Sequence, residues 1–139
     1  MVTRSYKRNL FQRILGIPQT RVPADRDCWR LEEGSVRLDL ERAPELAEEF
    51  GAIRIEAKGL PHPVLVMRDG EGGYRAFRNE CSHGRRRLDP VPGTRTVCCC
   101  SMGRSTFDYD GKVLSGTAKE PVHPLPVEVM DKRLLIRIV

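Results

Sequence analysis

The chain of 139 residues contains no apolar run long enough to span a bilayer. The start at Arg4, Lys7 and Arg8 is followed only by a broken apolar patch without a small-residue cleavage site. Neither a transmembrane helix nor a signal peptide is therefore expected, and the default address is cytoplasmic. Aromatic residues are few: four Phe, three Tyr and one Trp, with none of the aromatic-basic interleaving that single-strand binders use. The net charge of +5 is also patchy, with local sums of +5 over residues 1–30, −5 over 31–50 and +5 beyond, which argues against nucleic acid as a partner. No glycine-rich nucleotide motif, internal repeat or low-complexity segment occurs. Histidine is scarce: His62, His83 and His123 are the only imidazoles a site can draw on. The five cysteines are an odd number with three in a row, a poor disulfide framework and a better metal or redox site in a reducing compartment.

The segments that are present read as one small domain with an appended start. Residues 3–16 place Tyr6, Leu10, Phe11, Ile14 and Leu15 at helical spacing among basic residues, a short amphipathic helix that either packs on its own domain or makes peripheral membrane contact. Residues 1–27 are taken as this helix and a proline-flanked linker, and 28–139 as the domain. Strands are expected on both sides of the Glu32-Glu33-Gly34 turn, and a short helix from Ala43 to Gly51, with Pro near its first turn and Gly after its end. From Gly51 onward the signal is β: Ala52 to Glu56, Val64 to Arg68 and Tyr74 to Arg78 form a meander. A hairpin turns at Asp110-Gly111, and Val127 to Met130 and Leu134 to Val139 close the chain. Cys28, remote from the other cysteines, is read as an inert core residue.

The chemistry lies between Asn79 and Asp108. Cys81 and His83 form a Cys-x-His pair; sixteen residues then precede Cys100, with Pro90, Pro92 and Gly93 suggesting a looped excursion. Thiolates and an imidazole from two loops suit zinc or an iron–sulfur cluster rather than magnesium or calcium. A nucleophilic Cys/His enzyme fits less well, because Cys81 and His83 share one loop and no acidic orienter is evident.

This stretch resembles the cluster-binding segment of Rieske-type proteins, whose pattern is Cys-x-His, about sixteen residues, then Cys-x-x-His and an aromatic-Asp turn. Cys81, His83, Cys100 and Phe107-Asp108 match it, and the resemblance runs from about Ile53 to Val139. It implies an all-β, Rieske-like small antiparallel sandwich or open barrel with an inserted cluster-binding subdomain. It also implies a [2Fe–2S] cluster with two Cys on one iron and two His on the other. The fourth position departs from the pattern, because Gly103 stands where the second His belongs.

Several outcomes remain open at that position. Cys99 or Cys98 would supply a third thiolate, with Cys99 the simpler replacement; His123 or His62 would reach in from elsewhere; the set would hold zinc; or the fold would hold nothing and serve as a binding subunit. The ligands expected on this reading are Cys81, His83, Cys100 and Cys99. The expected function is one-electron transfer, as a small ferredoxin or a subunit of an oxidoreductase, with a redox partner protein and no substrate turnover of its own. The alternatives are a clusterless Rieske-fold regulatory subunit and a structural zinc site.

Overall fold

The alternating runs that the sequence shows after Cys28 pair as antiparallel strands throughout the computed structural model, which describes residues 19–81, 86–99 and 105–138. Chain order gives β1 (Trp29–Glu32), β2 (Ser35–Asp39), two short 3-10 turns (Leu40–Arg42 and Pro44–Ala47) and β3 (Ala52–Ile55). Then follow β4 (Val64–Arg68), β5 (Tyr74–Arg78), β6 (Leu88–Val91), β7 (Thr96–Cys99), β8 (Thr106–Asp108) and β9 (Val113–Ser115). The chain ends with β10 (Pro124–Leu125), β11 (Val127–Met130) and β12 (Arg133–Arg137). These make three four-stranded sheets in the orders β1-β2-β12-β11, β10-β5-β4-β3 and β6-β7-β8-β9. The all-β expectation holds. The amphipathic helix expected over 3–16 lies outside the described residues.

The middle sheet, β10-β5-β4-β3, is buried on both faces, and its alternation explains the layering. In β4, Val64 and Val66 point into one core with Val36, Leu38, Leu134 and Ile136 of the first sheet. Leu65 and Met67 point the other way, into a second core with Leu88, Val97 and Phe107 of the third sheet. Successive side chains of a strand face opposite sides, so one apolar strand serves two cores. β5 repeats the pattern with Ala76 in the first core and Phe77 in the second.

Two expectations are corrected here. The excursion between His83 and Cys100 is largely a hairpin, with β6 and β7 paired from Leu88↔Cys99 to Val91↔Thr96. Pro90 is tolerated within it because β6 is the edge of its sheet and one missing N–H breaks no inner ladder. The helix expected from Ala43 to Gly51 forms only the 3-10 turn Pro44–Ala47: Ala43 lies outside the helical region at φ −125°, and Glu48 is extended. Residues 19–21, within the stretch read as linker, are bound to the domain. The backbone N–H groups of Gln19 and Thr20 donate to the two carboxylate oxygens of Asp89 on β6 at 2.9 and 2.8 Å. The Thr20 carbonyl accepts from Arg54 Nε on β3 at 2.8 Å. This strap joins the middle and third sheets.

A second strap follows β9. Gly116, at φ +98°, passes so close to Ser105 that an added Cβ would lie 2.3 Å from the Ser105 Cα. Ala118 donates its N–H to Ser105 Oγ at 2.8 Å just beyond. Gly116→Ala is therefore expected to lower stability by about 1–3 kcal/mol through backbone strain and steric overlap. Gly59→Ala, with open space around it, is expected to stay within about 0.5 kcal/mol. Urea denaturation of the two variants checks the difference.

Candidate metal centre

The first loop leaves β5 with its alternation intact: Phe77, Asn79 and Cys81 are all buried, at 0%, 0% and 1% exposure. Backbone and side-chain bonds hold its root. Asn79 donates its N–H to the Pro63 carbonyl at 2.8 Å, and Cys81 donates to the Arg86 carbonyl at 2.6 Å, closing the loop between them. The Asn79 side chain turns back to the start of β6, where its Oδ1 accepts the Leu88 N–H at 2.7 Å. Leu88 in turn pairs with Cys99. The second loop springs from the β7–β8 hairpin, closed by a 2.7 Å bond from the Cys99 N–H to the Ser105 carbonyl. The end of the first loop and the root of the second thus meet on the paired strands β6 and β7 of the third sheet.

The structure brings two of the four expected ligands into one environment. Cys81 and Cys99 both belong to the second core, with Leu65, Met67, Phe77 and Phe107. Cys98, next to Cys99 on the strand, takes the opposite face and is half-buried. His83, Cys100 and Gly103 lie outside the described residues. No group of three or more His, Cys, Asp or Glu side chains suited to a metal occurs among the described residues.

The other candidate residues are employed elsewhere. Each ring nitrogen of His62 faces a backbone carbonyl, Pro63 O at 3.2 Å and Ile138 O at 3.1 Å. His123 is exposed, and its carbonyl accepts the Arg78 N–H at 2.8 Å. Cys28 sits in the first core, where burial, helped by the charges of Asp25 and Glu45, pushes its thiol up to about 11. That is the inert cysteine the sequence suggests. None of Cys28, Cys81, Cys98 and Cys99 is joined in a disulfide.

Asn79 is the residue that sequence reading missed. Its signal was there: a polar side chain two residues after Phe77 and two before Cys81 continues the inward face of β5. Asn79 Nδ2 is buried and lacks a hydrogen-bond partner among the described residues. Leaving such a donor unpaired costs about 1–3 kcal/mol. The other buried atoms of this kind, Glu45 Oε1 and Arg68 Nε, belong to half-buried side chains that make other hydrogen bonds.

Beside the first loop, Glu56 accepts from Arg87 Nε at 2.7 Å and from Arg54 Nη1 at 2.8 Å. Burial raises the Glu56 pKa, but the hydrogen bonds and charges of the two arginines outweigh it, and the net shift is downward. A carboxyl with a lower pKa when folded adds stability that is fully present above its unfolded value, about 4.3. That stability is lost as pH falls through the lower folded value, because the unfolded chain then binds more protons. Glu56→Gln is accordingly expected to flatten the loss of stability below about pH 4.3 relative to the unaltered protein. Denaturant midpoints taken at several pH values measure it.

Comparison with known proteins gives this geometry a family. The model of the Rieske [2Fe-2S] domain matches residues 41–130, well over half of the chain. The chain belongs to the Rieske [2Fe-2S] family. The Rieske fold also relates it to solved structures at low identity. A chain of the complex of reduced oxygenase and oxidised ferredoxin in carbazole 1,9a-dioxygenase has 17% identity and a TM-score of 0.60, with 76% of this chain and 94% of that one covered. The ferredoxin of carbazole 1,9a-dioxygenase from Nocardioides aromaticivorans has 21% identity, TM-score 0.56 and coverage of 66% and 88%. The cyanobacterial plasma membrane Rieske protein PetC3 from Synechocystis has 22% identity, TM-score 0.51 and coverage of 62% and 85%. No curated protein sequence matches the chain. No helix among the described residues is long and apolar enough to cross a membrane.

Rieske domains hold a [2Fe–2S] cluster between Cys and His ligands and carry single electrons. The described residues fit such a group in two respects. They place two thiols in one core at the roots of both loops, and they bury an amide donor of the sort that cluster sulfurs accept from. Zinc, the other metal the donor set suits, gains no support from the comparisons.

Proposed function

We propose that this Rieske-family protein is a one-electron carrier, a small ferredoxin or the ferredoxin-like subunit of an oxidoreductase, working in the cytoplasm with a redox partner protein. Cys81, His83, Cys100 and Cys99 would hold its [2Fe–2S] cluster, the last standing in for the imidazole that Gly103 cannot provide. A bound cluster supplies one reversible electron at a potential set by its ligands and surroundings. The observation that carries this reading is the shared burial of Cys81 and Cys99 in the second core. Of the described cysteines in the Cys98-Cys99 pair, Cys99 alone faces that core. The protein chain's part is to hold the donors rigidly and to exclude water from the thiolates of Cys81 and Cys99.

A second reading rests on the same strand. Cys99 is an inward β7 residue opposite Leu88, where an ordinary apolar side chain also fits. If it serves there only as packing, the fourth ligand is lost and the protein is a clusterless subunit that binds a redox enzyme.

Protein purified without oxygen and reconstituted with iron and sulfide separates the two. The electron-carrier reading expects two irons and two labile sulfides per chain and a paramagnetic signal after dithionite reduction. It also expects a midpoint between about −400 mV, typical of all-thiolate plant ferredoxins, and about −150 mV, the lower limit for two-histidine Rieske centres. Cys81→Ala and Cys99→Ala should each bleach the chromophore, whereas Cys98→Ala and Cys28→Ala should leave it. Colourless protein after reconstitution supports the clusterless reading. A chromophore that survives Cys99→Ala excludes Cys99 as ligand.

A further inference from the structure

Asn79 presents one amide to two tasks, and the structure accounts for only one of them. Its Oδ1 accepts the Leu88 N–H, which also fixes the orientation of the side chain, because a backbone N–H can bond only to the oxygen and not to the amide nitrogen. The Nδ2 is therefore held one carboxamide width from the start of β6. Leu88 beside it pairs with Cys99, and Cys81 follows two residues along the same inward face. The side chain is 0% exposed and Nδ2 lacks a partner among the described residues. An amide nitrogen offers two N–H donors and no acceptor capacity, so whatever completes it must accept. Phe77 and Cys81, which share its inward face, enter the second core, whose side chains are mostly apolar.

We infer that Asn79 Nδ2 donates a hydrogen bond to a sulfur of the bound [2Fe–2S] cluster, making Asn79 a positioning residue that tunes the centre and ties its potential to the β6 backbone. The inference rests on the cluster proposed above. A donor to sulfur favours the reduced, more negative state and so raises the potential. The same side chain fixes the start of β6 through Oδ1, so movement of the hairpin would alter the bond to the centre.

The chain contains only two asparagines, Asn9 and Asn79, which makes a selective label practical. The reconstituted full-length protein is prepared with nitrogen-15 in asparagine side chains, reduced with dithionite and studied by pulsed paramagnetic resonance in H2O and D2O. The expected result is a nitrogen-15 coupling with an exchangeable proton coupling beside it, both retained in Asn9→Ser. Both should disappear in Asn79→Asp, which keeps the acceptor for Leu88 and removes the donor, and the midpoint potential should shift negative. A loaded cluster without any asparagine coupling in the unaltered protein overturns this inference and leaves the electron-carrier reading standing, as does a coupling lost in Asn9→Ser. Protein that takes up no iron overturns both. Because the decisive spectrum is taken on the unaltered protein, poor folding of Asn79→Asp does not blunt the test.

Discussion

The pairing of β6 with β7 is the constraint on which the candidate centre depends. Loop residues have no ladder of their own to fix them, so precision has to be imported from rigid elements at their roots. Here the first loop is held by the Asn79 side chain against Leu88 and by the Cys81–Arg86 backbone bond. Register then carries Leu88 to Cys99, and the Cys99–Ser105 bond fixes the root of the second loop. A slip of one residue in this hairpin would exchange the faces of Cys98 and Cys99 and turn Cys99 out of the core. Val97, on the same face of β7 as Cys99 and paired with Phe107 of β8, penalises such a slip because it too would have to leave the core.

The third sheet is itself fastened to the middle one at several places around its edge. Asp89 captures residues 19 and 20, and the carbonyls of Thr20 and Arg21 accept from Arg54 of β3. Glu56 clasps Arg87 at the start of β6. At the far end, Arg95 in the β6–β7 turn pairs with Glu71 in the β4–β5 turn. Tyr109 lies between the guanidinium groups of Arg75 and Arg95, 4.7 and 5.3 Å from its ring centroid. Burial leads the causes that push the Tyr109 phenol upward, with the charge of Asp69 next, so the ring stays neutral near pH 7. Individually such exposed or half-exposed contacts contribute little. Placed at both ends of one hairpin, they oppose rotation of the third sheet about the apolar contact made by Leu65 and Met67.

How far the sequence revealed this depended on where the information lay. The meander β3–β4–β5 was legible almost to the residue, because alternation and glycine turns are local signals. So was the two-residue turn at Glu33 and Gly34, where both φ angles are positive, at 49° and 78°. The β6–β7 hairpin was not legible: Pro90, Pro92 and Gly93 say loop locally, and only an edge position in a sheet reconciles Pro90 with a strand. β10, Pro124 and Leu125 with Pro126 directly after, pairs with β5 through tertiary placement alone. At the site, the residue types and their spacing pointed to the family that the domain match then showed. The burial of Asn79 could be read from the alternation of β5, but its bond to Leu88 could not, because that partner lies nine residues away at the start of a hairpin that the sequence disguised.

Charge near the centre is also less simple than the sequence suggests. Counting arginines between residues 85 and 104 implies a strongly positive surround that would favour the reduced state of a bound cluster. Two of those arginines are committed to carboxylates: Arg87 to Glu56 and Arg95 to Glu71. Their fields are largely cancelled within a few ångströms, and salt screens what remains at the surface. If a thiolate replaces an imidazole, the centre gains one negative charge that these paired side chains offset only weakly. The compensation then falls to dipoles inside the core, where the low dielectric strengthens each one. Around Cys81 and Cys99 the described core offers few of these, since its side chains are almost all apolar. If Asn79 donates to a bound cluster as inferred above, that one buried amide would weigh more in setting the potential than the paired arginines Arg87 and Arg95.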